Sequence, residues 1–159
     1  MRGGAISFAF TGFGETELIV VENSRARKVA HPRNDGFLYV DGGEVMNFSL
    51  NEVPALIEKF LADNQLNAND ISMYAIHQAN RRIVTSVADK LNVPKDKVPF
   101  VMSDTGNVSS ASIPCMLTRC ANDHKLDKVL CCGFGAGLSI GVCLVDFSKT
   151  KFYGVVELE

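Results

Sequence analysis

Apolar residues recur along the chain in two rhythms, and the rhythm changes where the chemistry-bearing side chains stand. Residues 5–10 alternate small or polar with larger apolar side chains, the pattern of a half-buried strand. After a Gly-containing turn at 11–15, Leu18, Ile19, Val20 and Val21 form an unbroken apolar run, which predicts a fully buried strand. From 23 to 43 the pattern dissolves into Arg25, Arg27, Lys28, His31, Pro32, Arg33, Asn34, Asp35 and Gly36, a long surface loop of the kind that acts as a cover or moves. Val53, Leu56, Ile57, Phe60 and Leu61 then fall at i, i+3, i+4, i+7 and i+8, so one face of a helix is buried; Val45 and Phe48 extend the stripe backwards. Pro54 cannot donate to the carbonyl four residues earlier, and the stripe favours one kinked helix from about Gly43 to just before Leu66.

Two switches from strand to helix follow. The apolar run 73–76 delivers His77 at its end, after which Ile83, Val84, Val87, Ala88 and Leu91 recur at helical spacing until Asn92, Val93 and Pro94. Thirty residues on, the run 98–102 predicts a second strand that enters a polar turn with Gly106 and Asn107 and then a helix over 109–121. Such strand ends are where α/β folds place chemistry, so His77 and Asn107 are candidates to converge on one point. The 109–121 helix carries Ser110, Ala111, Ser112, Ile113, Cys115, Met116, Leu117, Cys120 and Ala121 on nearly every side, and a helix without a polar face has to be covered all round. Residues 128–132 and 138–147 read as strands about a tight glycine turn at 133–137; strand, turn, strand is not the order of a dinucleotide fingerprint. The tail 149–159 has no legible role.

Composition narrows the function without naming it. A chain of 159 residues fits one domain with a real core, and 47% apolar with 21% charged residues is ordinary for a soluble protein. A net charge of −2 argues against nucleic acid as the main partner. No run is long enough to cross a bilayer and no signal-peptide order begins the chain, so neither a membrane nor secretion is expected and the location reads as cytoplasmic. The five cysteines, Cys115, Cys120, Cys131, Cys132 and Cys143, are odd in number and lie among apolar residues, which predicts buried free thiols. Without CxxC or HxxxH spacing, no metal is expected, and no cofactor is called for.

His77 and Asn107 offer two neutral hydrogen-bond donors, with no carboxylate at a matching strand end to make the histidine a stronger base. Two such donors suit a developing oxyanion, an enolate or a thioester oxygen, better than proton abstraction. The turn at Phe134, Gly135, Ala136 and Gly137 could add a backbone N–H, because glycine lets the main chain approach a ligand. A lone histidine is more often a satisfied core residue; the combination of the three features shifts the balance.

Three motifs also resemble a known family. His77, Gln78, Ala79 and Asn80 followed by Arg82, then Gly106 and Asn107 with Ser109, Ala111, Ser112, Ile113 and Pro114, then Gly133 to Leu138, are similar in order and gaps to the C-terminal signatures of β-ketoacyl-acyl carrier protein synthase III. Residues 40–48 also resemble the family's Gly-x-Glu-Val helix start. The resemblance implies the C-terminal half of a thiolase-like fold, a mixed five-stranded sheet with helices on both faces, as one domain over 1–159. It implies decarboxylative condensation of an acyl thioester with malonyl-acyl carrier protein in fatty acid or related biosynthesis, with acyl-CoA as the acyl donor and a homodimer as the assembly. His77 and Asn107 would hold the malonyl thioester oxygen, and the main-chain N–H of Ala136, between Gly135 and Gly137, would serve a second oxyanion hole. Asn80 and Arg82 match positions near the pantetheine and phosphates of CoA. The family's nucleophilic cysteine belongs to an N-terminal half, and none of the five cysteines here inherits its role, so the chain alone is expected to be inactive. In that fold the 109–121 helix lies in a middle layer, covered by the other half.

Two other readings stand beside this one. The chain could be a separately encoded subunit that borrows a nucleophile from a partner, or a scaffold that kept the fold without the chemistry. A scaffold has no physical need of His77, Asn107 and the glycine turn together.

Overall fold

The computed structural model describes residues 5–15, 17–22 and 36–156; most of the long loop expected over 23–43 lies outside the described residues. At the centre is a hairpin of β5 (Val129–Gly135) and β6 (Ser139–Val145). Strand β1 (Ala5–Gly12) pairs antiparallel with β6, and β4 (Met73–Ile76) pairs parallel with β5, giving the order β1-β6-β5-β4. A parallel neighbour needs a long crossover, and two helices supply it: α2 (Arg81–Lys90) and α3 (Ser112–Cys120). A separate two-stranded ribbon joins β2 (Ile19–Val21) to β3 (Leu38–Val40), just before α1 (Gly42–Asp63).

Helix α1 starts where Asp41 accepts the N–H of Glu44 at 3.0 Å, an N-cap, and continues through Pro54 to Asp63. It packs with α2 on one face of the sheet. Ile57, Phe60, Val84 and Val87 join Tyr74, Ile76, Leu130, Cys132, Ile140, Val142 and Leu144 in the larger core. On the opposite face α3 lays Met116, Leu117 and Cys120 on Met73, Ala75 and Val129. All four residues of β4 are fully buried because both of its faces are covered, which is why that strand reads as an unbroken apolar run.

The α/β class and the mixed sheet with helices on both faces are as predicted, but the strand count is not: the sheet of the described residues has four strands. Residues 98–102 form no strand. Their main chain is engaged by a side chain instead: Gln78 donates to the Pro99 carbonyl at 3.1 Å and accepts from the Val101 N–H at 3.0 Å. The run 18–21 is not a buried central strand either, since among the described residues β2 pairs with β3 alone and leaves Val21 exposed. Glycine-rich 133–137 is not all turn: Gly133 and Gly135 sit in β5 opposite Gly141 and Ser139, and the reversal falls on 136–138. The 109–121 helix is a short 3-10 turn followed by α3, with Met116, Leu117 and Cys120 buried and Pro114 and Cys115 exposed.

Helix α3 covers only part of its face. At β1 no described residue covers that face: Phe8 and Phe10 remain 77% and 70% exposed, Phe10 lying across from Gly141, while the β6 residues beside them are half-buried.

Candidate active site

Strand β4 carries His77 just past its last residue, and the parallel ladder extends one step further to hold it, His77 N–H donating to the Cys132 carbonyl at 2.8 Å. The imidazole packs edge-on against Phe134 of β5, ring centroids 5.2 Å apart. Its Nδ1 lies 2.7 Å from Oγ of Ser112, the first residue of α3. Burial among these neighbours lowers the His77 pKa below its ordinary 6.5, because desolvation disfavours the charged form. The ring is therefore neutral at pH 7, and Nε2 has no partner among the described residues.

Gln78, 1% exposed, is the hub behind it. Besides its bonds to Pro99 and Val101, its Nε2 donates to the Ile76 carbonyl at 3.0 Å and its backbone N–H approaches Ser112 Oγ at 3.4 Å. One side chain thus ties the end of β4 to the segment that leads into the Asn107 loop. The loop is tied down again from α3: Arg119 donates to the Val101 carbonyl at 2.6 Å and makes a two-pronged pair with Asp104 at 2.6 and 3.0 Å. These bonds hold the Asp104 carboxyl below its ordinary range.

Asn107 itself is exposed and sits in a loop rather than at a strand end. Gly106 before it takes φ +68°, a conformation costly for any residue with a Cβ. Asn107 Oδ1 accepts the N–H of Ser109 at 2.9 Å, which turns the amide oxygen inward to the main chain and leaves Nδ2 as a donor with no partner among the described residues. Five residues further along the same segment stands Ser112, bonded to His77. The two candidate donors are therefore linked through one short piece of chain.

The remaining predicted residues are placed as follows. Ala136 is exposed at the tip of the β5–β6 reversal; its carbonyl accepts from Ser139 Oγ at 3.1 Å, and Gly137 beside it takes φ +136°. Gly135 closes β5. Asn80 caps α2, its Oδ1 accepting the Ile83 N–H at 2.9 Å, which leaves both amide N–H groups as donors for a ligand. Arg82 is exposed in the first turn of α2, and Arg81 lies 4.4 Å over the Phe100 ring. Two arginines and no acid at a helix N-terminus oppose the helix dipole, an arrangement that an arriving anion would relieve.

The cysteines are all free, but not all buried: Cys115 is exposed, and Cys131 and Cys143 are half-buried across the β5–β6 ladder. Burial raises the thiols of Cys120 and Cys132; Cys131 and Cys143 face each other across the ladder, and their interaction raises the first and lowers the second. No thiol is bonded to His77 among the described residues. Sequence reasoning missed the hub and the hydroxyl. Gln78 and Ser112 were legible only as motif members, because their partners are main-chain atoms and a ring distant in the chain.

Residues 61–147 match the family model for the C-terminal part of 3-oxoacyl-[acyl-carrier-protein (ACP)] synthase III. The beta-ketoacyl-[acyl-carrier-protein] synthase III of Gloeobacter violaceus is 41% identical over 113 residues, 69% of this chain and 34% of the relative. That of Streptococcus gordonii is 37% identical over 117 residues, 70% of this chain and 36% of the relative. The chain thus spans about a third of the length of the curated relatives it matches. Among solved structures, a 3-oxoacyl-(acyl-carrier-protein) synthase III superposes with TM-score 0.81 at 30% identity, over 89% of this chain and 47% of its own. The Aquifex aeolicus 3-oxoacyl-[acyl-carrier-protein] synthase III gives 0.76 at 26% identity, over 92% and 45%. The thiolase-like fold and the three motifs agree with these likenesses, and the chain belongs to the 3-oxoacyl-[acyl-carrier-protein] synthase III family, matching its C-terminal part.

Proposed function

We propose that the chain is the decarboxylating half of a 3-oxoacyl-acyl carrier protein synthase III-type acyltransferase, a condensing enzyme of fatty acid or related biosynthesis. The observation that carries this reading is the neutral His77, held at Nδ1 by Ser112 of the segment that also bears Asn107, with its Nε2 and the Asn107 amide N–H2 both without a partner among the described residues. Both donors would bind the thioester oxygen of malonyl-acyl carrier protein. As the bond to the carboxylate breaks and CO₂ leaves, its electron pair moves into the thioester carbonyl, and the enolate oxygen gains charge that the two donors stabilise. The enolate carbon then attacks an acyl group held as a thioester on a cysteine of the other half. Backbone N–H of Ala136, in the reversal bounded by Gly135 and Gly137, would take the oxyanion of that step before the thiolate leaves.

Arg82, with the amide of Asn80, would meet the phosphates and pantetheine of the acyl-CoA that loads the cysteine; the cationic first turn of α2 supports this. The bare face over Phe8 and Phe10 supports a covering N-terminal half that brings the nucleophile: burying each ring is worth about 1.5–3 kcal/mol. A homodimer of the completed enzyme in the cytoplasm is the assembly we infer; no helix among the described residues is long and apolar enough to cross a membrane. The same bare face supports a second reading, in which the other half is a separate polypeptide.

The test is reconstitution. The chain is mixed with, or fused to, the N-terminal half of the Gloeobacter violaceus relative, and CO₂ release from malonyl-acyl carrier protein and 3-oxoacyl product are measured. The expected result is both activities in the combination and no condensation by the chain alone. Condensation by the chain alone, or a folded combination that does not decarboxylate, would overturn the reading.

A further inference from the structure

We infer that Ser112 is the positioning residue that sets which nitrogen of His77 carries the proton. The hydroxyl at Ser112 is 3% exposed and has two neighbours among the described residues, the Gln78 N–H at 3.4 Å and His77 Nδ1 at 2.7 Å. An N–H can only donate, so toward Gln78 the oxygen accepts. Its own proton then has one acceptor within reach, the Nδ1 lone pair. The opposite assignment, Nδ1–H donating to Oγ, would bury the hydroxyl proton with nothing to receive it, which folded proteins avoid. With Nδ1 accepting, the neutral imidazole keeps its single proton on Nε2. The main-chain bond to the Cys132 carbonyl fixes where the side chain starts, and the edge-on Phe134 ring with the Ser112 hydroxyl holds the ring plane, so the proton's direction is set as well as its location.

This rests on the reading of His77 as the donor to substrate oxygen, and it makes that role depend on a residue that touches no substrate. Ser112 is also the first residue of α3, downstream of Asn107 on one segment. A displacement of the α3 start would therefore reach both donors: Asn107 through the chain, His77 through the hydroxyl.

The test needs no activity. The 159-residue chain is labelled with ¹⁵N-histidine, and two-bond ¹H–¹⁵N correlations are recorded well above the His77 midpoint, its signals assigned by loss in His77→Gln. The wild-type ring should show Nδ1 fully pyridine-like and Nε2 fully pyrrole-like. In Ser112→Ala the two nitrogen shifts should move toward each other as the Nδ1–H form gains population, and Ser112→Thr, which restores a hydroxyl, should return them. A wild-type ring protonated on Nδ1, or an unchanged pattern in a folded Ser112→Ala chain, overturns the inference. Should Ser112→Ala fail to fold by its amide spectrum, the wild-type pattern and that of Ser112→Thr still decide. An unchanged pattern in Ser112→Ala leaves the proposed function standing, whereas a wild-type ring protonated on Nδ1 would also take away the Nε2–H donor that the function needs; a reconstituted enzyme that does not decarboxylate while the Nε2–H pattern holds would sink the function and leave the hydroxyl's role intact.

Discussion

The sequence presents His77 and Asn107 as equivalents, each at the end of a strand that opens into a helix, yet the fold treats them differently. His77 stands at the tip of a fully buried strand, with its N–H, ring edge and Nδ1 all engaged. Asn107 stands in an exposed loop whose approach, 98–102, is not a strand at all and is held by Gln78 and Arg119. One donor is preorganised by a ladder, the other by two side chains. Preorganised donors cost no reorganisation when charge develops, so the two arms should differ in how much catalysis each carries and in what disturbs them.

The largest effect expected from that contrast is on chemistry. In the reconstituted enzyme, His77→Ala should lower malonyl decarboxylation by about 10²–10³-fold, the loss typical of one oxyanion donor. Asn107→Ala should cost roughly tenfold less, because the exposed arm holds its donor less firmly. Equal losses would erase the distinction between the arms.

Next in size is Gln78→Leu. It strips the partners from the Val101 N–H and the Pro99 carbonyl while keeping similar bulk, and about 2–4 kcal/mol of stability should disappear, read by urea denaturation of the isolated chain. A loss below about 0.5 kcal/mol would mean that the Asn107 arm does not depend on this hub.

How far the sequence told these arms apart follows from where their constraints lie. Strand β4, helix α1 and helix α2 were readable because their apolar spacing reports faces that the chain itself covers. The fifth strand was misread because 98–102 is apolar for another reason: Val98 and Met102 are buried while the ladder is replaced by a carboxamide, and hydrophobic pattern carries no record of hydrogen-bond partners. Residues 18–21 misled in the same way, being an apolar run in a two-stranded ribbon. At the site, His77 and Asn107 stood out as polar groups in apolar company, whereas Ser112 looked like one of several small residues on a helix expected to be covered all round. Only the fold brings its hydroxyl to the ring.

Smaller effects sharpen the comparison between the sheet's two faces. Phe8→Ser together with Phe10→Ser should leave the stability of the isolated chain within about 1 kcal/mol, since both rings are already exposed. The same pair should weaken association with the N-terminal half, measured by calorimetry. A large loss of stability with unchanged association would place the cover elsewhere.

The smallest effect is on pH dependence. His77 has its folded pKa below the unfolded 6.5, so the native state binds fewer protons than the unfolded one between the two values. Stability should fall as pH drops from 6.5 toward the folded pKa and level off beneath it. His77→Gln should flatten that part of the profile, and an unchanged slope would assign it to another group.

The central claim is that the imidazole and the carboxamide act on a single oxygen. A double-mutant cycle on CO₂ release by the reconstituted enzyme, with His77→Ala, Asn107→Ala and both together, tests it most directly. Donors that serve one oxyanion act as a unit, so the double variant should lose little more than the worse single variant. A double loss equal to the product of the two single losses would contradict the shared site.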